Sequence, residues 1–222
     1  MNRFLARCGV ASRRGADLLI KASRVRVDGS IASLGLDVDP DRSIIMVDGR
    51  RVRPTASSLT LVFNKPASVI TTMHDERGRK SVASFLPRGQ RLFPVGRLDA
   101  ETTGVLLCTN DGDLANFLLA PKNEIERTYR VTVRGGIGAA MIRELGASQV
   151  SARRDGTTTF TITLREGRNR QVRRMCARQG LRVIALCRTR FGPVSLGDLK
   201  VGLTRALTSH EMSELERLRH ER

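Results

Sequence analysis

The apolar residues of the N-terminal stretch recur at helical spacing. Phe4, Leu5 and Val10 follow a short first pattern, which is broken near a Cys-Gly pair. Ser12 then provides a polar side chain suited to capping a second helix, which the pattern predicts to end near Lys21. The first twenty residues therefore predict two short helices.

Two short strands follow the predicted helices. Apolar and basic residues alternate over residues 24–27, and an apolar run occupies residues 44–47. An Asp-Gly pair, a typical hairpin turn, follows each of them. Residues 1–50 are thus expected to form a small module of two helices and a twisted sheet. Its basic side chains, candidates for contact with RNA, are Arg3, Arg13, Arg14, Lys21, Arg24 and Arg26.

The remainder of the chain mixes strand and helix patterns at irregular intervals. Residues 51–58, which contain Pro54, indicate a linker, and residues 59–222 indicate a second domain. Strands are predicted at residues 59–64, 92–95, 105–109, 128–133, 157–164 and 182–186. Helices are predicted at residues 81–85, 114–119, 139–145, 169–179 and 209–219. The irregular order favours an α+β domain over a regular parallel βαβ array.

The chain is strongly basic. Its 39 Lys and Arg residues outnumber the 22 Asp and Glu residues, which gives a net charge of +17 over 222 residues. Such an excess attracts polyanions, so nucleic acid is the expected partner, with a ribosome-associated or acidic protein as the alternative. No apolar run is long enough to span a membrane and no secretory signal is visible, so a soluble, cytoplasmic protein is expected.

Metal and nucleotide sites are not predicted. Asp37, Asp39 and Asp41 have the spacing of a calcium loop, but Arg42 and Asp48 stand where that loop needs Gly and Glu. The four cysteines and three histidines are too scattered for a zinc site, and a reduced protein is expected. No Gly-rich loop of the ATP- or NAD-binding type is present. ATP and NAD are therefore not expected as ligands.

Residues 96–115, GRLDAETTGVLLCTNDGDLA, carry the first candidate for chemistry. Asp99 lies between a predicted strand and the Thr-Thr-Gly turn that precedes the next apolar strand. A carboxylate held in a loop between buried strands is suited to catalysis, but aspartates also stabilise turns, and the pattern alone leaves both interpretations open. Asp111 and Asp113 are interpreted as a turn residue and a helix cap.

Residues 165–175, REGRNRQVRRM, carry the second candidate. Five arginines in eleven residues at the start of a predicted helix suit phosphate contacts, and Arg168 and Arg170 are expected to bind substrate there. A solvated basic helix face is the alternative. Tyr129 is the single tyrosine and tryptophan is absent, so base stacking on a broad aromatic sheet is not expected. Tyr129 is suited either to stacking on one base or to a place in the core.

Together these segments resemble the RsuA/RluB/RluF-type family of ribosomal RNA pseudouridine synthases. MNRFLARCGVASRRGADLLI resembles the start of a ribosomal protein S-four-type RNA-binding domain. GRLD with TTGVLLCTNDG resembles the catalytic motif of the family, and REGRNRQVRRM with FGPVSLGDLKVGLTRALT resembles its C-terminal half. The resemblance implies an α+β fold in which a small α/β RNA-binding module precedes a catalytic domain with a mixed, mainly antiparallel sheet.

The resemblance also implies roles for single residues. Asp99 falls on the essential aspartate, and Tyr129 on the tyrosine that stacks on the flipped uracil. Arg173 falls on the arginine that pairs with the catalytic carboxylate, and Arg97 on the basic residue that enters the RNA helix. Leu207 lies near the residue that forms an apolar wall of the pocket.

The implied activity is the isomerisation of uridine to pseudouridine in ribosomal RNA, without a metal or nucleotide cofactor. The 23S RNA of the large subunit is the expected target, either naked or in an assembling subunit. The sequence leaves open whether Asp99 attacks ribose C1′, attacks base C6 or assists glycal formation. A non-catalytic assembly factor and a synthase acting on transfer RNA are the competing interpretations. A monomer without membrane contact is expected.

Overall fold

The computed structural model describes residues 1–40, 42–54 and 58–221. Asp41 of the calcium-like spacing and residues 55–57 of the predicted linker therefore lie outside the described residues. The chain divides into two compact units. The first comprises Met1–Leu59, Arg88–Arg91 and Asn110–Gly112, and the second comprises Thr60–Pro87, Leu92–Thr109 and Asp113–Arg222.

The first unit has the predicted order of two helices followed by short strands. Its elements are α1 (Asn2–Arg7), α2 (Arg13–Lys21), β1 (Val25–Val27), β2 (Ser30–Ile31), β3 (Ile45–Val47) and β4 (Arg50–Arg51). The strands form an antiparallel sheet in the order β2-β1-β3-β4. The Ser12 side chain accepts a hydrogen bond of 2.9 Å from the Gly15 N–H, which confirms the predicted cap. Arg51, assigned to the linker from sequence, belongs to β4.

Both Asp-Gly pairs of the first unit form tight hairpin turns. Asp28 and Gly29 have φ angles of 49° and 87°, and Asp48 and Gly49 have φ angles of 49° and 76°. Two successive positive φ angles are typical of the turn that matches the twist of a hairpin, and Asp and Gly tolerate them best. The sheet thereby packs Val25 and its apolar neighbours against the helices around Leu5.

The rest of the chain builds a larger α+β unit. Its strands are β5 (Thr60–Lys65), β6 (Phe93–Pro94), β7 (Thr103–Thr109), β8 (Arg127–Arg134), β9 (Ser148–Ala152), β10 (Thr157–Leu164), β11 (Arg182–Phe191), β12 (Val194–Ser195) and β13 (Thr204–Ala206). Its helices are α3 (Gly112–Leu119), α4 (Ala139–Leu145), α5 (Gln171–Arg178) and α6 (Ser209–His220). Short 3-10 turns occupy Val82–Phe85 and Pro121–Asn123.

The main sheet of this unit runs in the order β13-β5-β7-β11-β8-β10-β9, with β6 beside β7 and β12 beside β11. Strands β7 and β11 are parallel, whereas the other named pairs are antiparallel. This confirms the mixed, mainly antiparallel sheet. One apolar cluster lies between the sheet and α3, and another lies between β8, β10, α4 and α5. None of the described helices is long and apolar enough to cross a membrane.

Gly104 allows the parallel strands to approach each other. It pairs with Arg188, and a Cβ at Gly104 would lie 2.2 Å from the Arg188 carbonyl oxygen. Its φ of +99° is also a conformation that other residues rarely adopt. Glycine at this position therefore permits the close approach of β7 and β11.

Helix α6 is anchored by a buried glutamate. The Glu211 carboxylate accepts two hydrogen bonds of 2.7 Å from the Arg205 guanidinium and one from the Thr208 N–H. The Thr208 hydroxyl accepts a bond from the Glu211 N–H in return, which completes a capping box. Burial raises the pKa of Glu211, but the hydrogen bonds and the Arg205 charge outweigh it and hold the pKa at about 2.

The Glu211→Gln variant is expected to lose stability in a pH-dependent way. Because the pKa of Glu211 is about 2 in the folded chain against 4.5 unfolded, its ionised form contributes about 3 kcal/mol above pH 4.5. This contribution is lost as the pH falls from 4.5 towards 2. Urea unfolding at several pH values should therefore show a gap between wild type and variant that closes on acidification. The exposed Glu216→Gln is the control, and an equal gap at pH 7 and pH 3 would contradict the assignment.

Candidate active site

The second unit contains a pocket of about 580 Å³. Residues 95–99 ahead of β7, strands β8 and β11, and the loop that leads into α5 form its walls. Its charged lining among the described residues is mostly cationic: Arg97, Arg127, Arg168, Arg170 and Arg188 against the carboxylates of Asp99 and Glu166. A pocket of this volume and charge suits an anionic ligand of the size of a nucleotide.

Asp99 lies in a loop that is held from several sides. The neighbouring Leu98 is buried, and its backbone exchanges two hydrogen bonds with the Thr71 hydroxyl at 2.7 and 3.2 Å. The Thr102 N–H donates to the Asp99 carbonyl at 3.0 Å and closes the turn into β7. The Asp99 side chain itself remains 32% exposed. The loop is fixed, while its carboxylate stays accessible to a ligand in the pocket.

Lys65 fixes the same loop from the interior. Its residue is fully buried, and its Nζ donates to the carbonyls of Pro66, Val69 and Ala100 at 2.9, 2.6 and 3.2 Å. Burial lowers the pKa of Lys65 to about 8, and the negative charge of Asp99 opposes this shift. Sequence reasoning missed this residue; its position at the end of an apolar strand, in a chain that otherwise prefers Arg, was the available signal.

Arg170 is the ion-pair partner of Asp99. Its Nη1 lies 3.6 Å from Asp99 Oδ2, and its Nη2 lies 3.7 Å from Glu101 Oε2. Arg170 caps α5 with a left-handed backbone, with φ of 49°. Arg170, expected from the sequence to bind substrate, lines the pocket and contacts the candidate carboxylate; its binding of substrate stays a prediction.

The expected ion pair between Arg173 and Asp99 is wrong. The Arg173 Nη2 lies 3.5 Å from Glu101 Oε2, and its side chain is 14% exposed. Its Nε is buried without a hydrogen-bond partner in the described part of the chain. The left-handed residue at the helix start leaves Arg170 beside Asp99, whereas Arg173, in the first turn of α5, contacts the neighbouring carboxylate. A catalytic role for Arg173 stays a prediction.

Tyr129 both contacts the apolar core and lines the pocket, the two environments that the sequence left open. It lies in β8 opposite Arg188 of β11 and Ile162 of β10. Its ring packs against the apolar cluster of β8, β10 and α5, and it also lines the pocket. A tyrosine that is supported by the core and open on the pocket side is suited to stacking on a planar ligand.

Two buried arginines form part of the pocket wall, and sequence reasoning missed both. Arg188 donates from Nε to the Val105 carbonyl at 2.8 Å, and its Nη2 has no partner among the described residues. Arg127 donates to three backbone carbonyls. The guanidiniums of Arg188 and Arg127 lie 4.7 and 5.1 Å from the centre of the Phe191 ring. Burial, and then the charge of Arg188, lower the pKa of Arg127.

The remaining predicted pocket residues divide into two groups. Arg97 and Arg168 line the pocket with exposed side chains, and the Arg168 Nε donates to Glu166 at 2.9 Å. Leu207 does not line the pocket and instead packs against the apolar cluster that contains Val62. The prediction of Leu207 as a pocket wall is therefore wrong, because the apolar walls of the pocket come from other residues such as Leu186.

The predicted basic residues of the first unit are exposed on that unit. Arg13 and Arg14 begin α2, Arg3 lies in α1, and Lys21 ends α2. Arg24 is engaged by Asp48 through hydrogen bonds of 2.7 and 2.6 Å, and Arg26 donates to the Gly29 carbonyl at 2.8 Å. The four basic residues of the two helices therefore lie on the surface of the unit. Arg24 is also exposed, but its charge is paired with that of Asp48. No group of three or more His, Cys, Asp or Glu side chains in the described ranges could hold a metal ion.

Comparison with curated proteins gives relatives along nearly the whole chain. An RNA pseudouridine synthase of Mycobacterium leprae is 42% identical, covering 97% of this chain and 91% of the relative. The dual-specificity RNA pseudouridine synthase RluF of Shigella flexneri is 36% identical, covering 98% and 78%. The ribosomal large subunit pseudouridine synthase B of Pseudomonas aeruginosa is 41% identical, covering 97% and 61%.

A solved structure and a family pattern agree with these relatives. A crystal structure described as a pseudouridylate synthase matches with a TM-score of 0.64 and 26% identity, covering 98% of both chains. The pattern of the RNA pseudouridylate synthase family matches residues 59–178, the stretch that holds Asp99, Tyr129 and the arginines around α5. The chain therefore belongs to the RNA pseudouridylate synthases, and within them to the RsuA/RluB/RluF-type family of isomerases that act on RNA.

Proposed function

We propose that this chain converts specific uridines of ribosomal RNA to pseudouridine, with Asp99 as the nucleophile. The observation that carries the proposal is the pocket of Asp99. Its carboxylate is accessible, has a guanidinium 3.6 Å away, and shares the pocket with Tyr129. A nucleophile, a countercharge and a stacking surface in one pocket are what the isomerisation of a base requires.

The reaction rearranges bonds without a net change in composition. The bond between N1 of uracil and C1′ of ribose breaks, the base turns, and a bond between C5 and C1′ forms. The proton of C5 leaves and N1 gains a proton, so atoms and electrons balance without an oxidant or reductant. The carboxylate of Asp99 supplies the electron pair for a transient bond to the substrate, and the Arg170 guanidinium balances the carboxylate charge before that bond forms.

The pocket must receive a base that has left its stack. Extruding a nucleotide costs a few kcal/mol, which contacts in the pocket have to offset. Stacking of uracil on Tyr129 provides one such contact, since base–aromatic stacking contributes about 1–3 kcal/mol. Arg97, exposed at the pocket, is suited to occupying the space that the base vacates in the RNA. Arg168 and Arg170 are suited to the flanking phosphates.

Large-subunit RNA is the proposed target. The proposal is supported by the relative from Pseudomonas aeruginosa, which is named for the large ribosomal subunit and is 41% identical to this chain. Another relative is named as a dual-specificity enzyme, so a second class of RNA is a specific alternative. Transfer RNA and small-subunit RNA therefore belong in the same assay.

The first unit is proposed to be the S-four-type RNA-binding module expected from sequence. It carries exposed arginines at the start of α2, and its two helices and small sheet form a compact basic body. Phosphate contacts made by such a module supply affinity without reading the base sequence. They would bring the pocket of the second unit close to a target hairpin.

Mapping of pseudouridine tests the proposed activity and its nucleophile. The purified chain is incubated with unmodified large-subunit, small-subunit and transfer RNA, and carbodiimide-treated RNA is read by primer extension. We expect a new stop in large-subunit RNA with the wild type and none with Asp99→Ala, because the variant lacks the carboxylate. Glu101→Gln, which changes the adjacent carboxylate, should retain the stop. A stop that survives Asp99→Ala would reject Asp99 as nucleophile, and stops confined to another RNA would reject the proposed target.

Salt dependence of binding tests the role of the first unit. We expect Arg13→Gln combined with Arg14→Gln to flatten the plot of log affinity against log salt concentration. The slope should fall by roughly 0.7–0.9 for each phosphate that the variant no longer neutralises. Filter binding to the large-subunit transcript gives the slopes, and the single-turnover rate at saturating enzyme should be unchanged. Identical slopes for wild type and variant would show that these arginines do not bind phosphate.

A further inference from the structure

Two arginines face each other across adjacent strands at the end of the main sheet. Arg134 is the last residue of β8 and Arg182 is the first residue of β11, and the antiparallel register pairs them directly. Both are exposed. Directly opposed residues of an antiparallel pair have Cα atoms about 4.5–5.5 Å apart, and like charges in such a pair destabilise the sheet. The pair therefore costs stability unless an anion lies between the two guanidiniums.

The turn between β9 and β10 adds positive charge at the same end of the sheet. Thr157 pairs with Arg134, and the Arg153 N–H donates to the Thr157 carbonyl at 2.8 Å. Arg153 and Arg154 therefore lie in the hairpin next to the opposed pair. We call Arg134, Arg153, Arg154 and Arg182 the sheet-end arginines. All four are exposed.

Asp155, the acidic residue closest in sequence to Arg153 and Arg154, is already engaged in hydrogen bonds. The Asp155 carboxylate accepts hydrogen bonds from the Thr157 N–H at 3.0 Å and the Thr157 hydroxyl at 2.6 Å. These bonds lower the pKa of Asp155, and the Arg153 charge lowers it further. Asp155 shapes the turn, so a single carboxylate in this hairpin faces the charge of four arginines.

Several exposed arginines elsewhere in the described part of the chain are paired with carboxylates. Ion pairs hold Arg24 at 2.6 Å, Arg79 at 2.7 Å and Arg168 at 2.9 Å. Within the described ranges, by contrast, no carboxylate lies within 4 Å of Arg134 or Arg182. The opposed pair thus lacks the neutralising partner that these other exposed arginines have.

The sheet-end arginines are separate from the pocket. Strand β8 begins at the pocket with Arg127 and Tyr129 and ends at Arg134, five residues after Tyr129. At about 3.3 Å per residue, Tyr129 and Arg134 are separated by roughly 17 Å along the strand. Because side chains alternate between the faces of a strand, Arg134 also projects from the face opposite to Tyr129. A ligand of these arginines must therefore be distinct from the target nucleotide.

We propose that the sheet-end arginines bind a backbone phosphate of the RNA substrate at the end of the sheet, roughly 17 Å along β8 from Tyr129. The inference rests on the proposed function, which makes RNA the substrate. A phosphate between Arg134 and Arg182 accepts hydrogen bonds from both guanidiniums and replaces their repulsion with two attractive contacts. RNA offers such phosphates all along its backbone, so a strand that passes around the end of the sheet contacts the sheet-end arginines while its target nucleotide occupies the pocket.

The test combines Arg134→Gln with Arg182→Gln in the full chain. The variant removes both the repulsion and the bound phosphate. We therefore expect its stability to increase and the salt dependence of its RNA affinity to decrease. The urea midpoint should rise, whereas the slope of log affinity against log salt for the large-subunit transcript should fall by roughly 0.7–0.9. The single-turnover rate of pseudouridine formation at saturating enzyme should stay at the wild-type value, since the pocket is unchanged.

Two matched variants separate a local contact from a general effect of charge. Arg134→Lys with Arg182→Lys keeps both charges and should keep the slope. Arg77→Gln with Arg219→Gln removes the same charge from other exposed positions of the second unit and should also keep the slope. The inference is overturned if the Arg134→Gln, Arg182→Gln variant keeps the wild-type slope, or if the Arg77, Arg219 variant flattens it equally.

The outcomes also separate this inference from the proposed function. A wild-type chain that binds the transcript but forms no pseudouridine in it would reject the proposed target, while the slopes would still decide the role of the sheet-end arginines. A raised urea midpoint with an unchanged slope would leave an acidic protein as the candidate partner and reject the phosphate contact.

Discussion

Lys65 ends a buried strand with an ammonium group that shares its hydrogen bonds among three backbone carbonyls. Two of these carbonyls lie in the loop after β5, and the third belongs to Ala100, next to Asp99. Removing an ammonium from water costs several kcal/mol, which only well-placed partners can offset. Because these carbonyls are the partners, the position of the Asp99 loop is coupled to the stability of the larger unit. Gly104 permits the close approach of β7 and β11 on the other side.

The electrostatics of the pocket follow from this framework. Asp99 reaches the pocket among five arginines, two of which, Arg127 and Arg188, are buried beside the Phe191 ring. Their side chains are bound by carbonyls rather than by acids, so they leave a positive wall without neutralising Asp99. The arginine with a direct contact to the carboxylate is Arg170, which is half-exposed and free to adjust when RNA enters. A carboxylate in a fixed loop is thus combined with one half-exposed cation beside it.

Local chemistry made much of the fold predictable. The Ser12 cap and the two Asp-Gly turns depend on residues close in sequence, and the strand at Thr157–Leu164 has a clear alternating pattern. Strand β9 was not predicted, because its residues Ser148–Ala152 are exposed and its pairing depends on β10. The resemblance to the family identified Asp99 and Tyr129 as candidate site residues, and both line the same pocket.

The features that the sequence did not predict depend on backbone conformation and on contacts between residues that are distant in the chain. The choice between Arg170 and Arg173 as the neighbour of Asp99 depends on the left-handed backbone at Arg170, which no apolar pattern encodes. Lys65 and Arg188 are charged residues in the interior, where pattern analysis expects apolar ones. Leu207 is apolar and close to the predicted wall in sequence, but the packing of the sheet directs it into a core cluster.

Attack of the Asp99 carboxylate on the target nucleotide is tested most directly by single-turnover release of tritium from large-subunit RNA labelled at uridine C5. Formation of the new C5–C1′ bond expels that label, so release reports the rearrangement itself. Asp99→Asn preserves the shape of the side chain and removes its negative charge. We expect this variant to release tritium about 10⁴-fold more slowly, or slower still, with RNA affinity unchanged. Release at a rate close to that of the wild type would contradict the role of Asp99 as nucleophile.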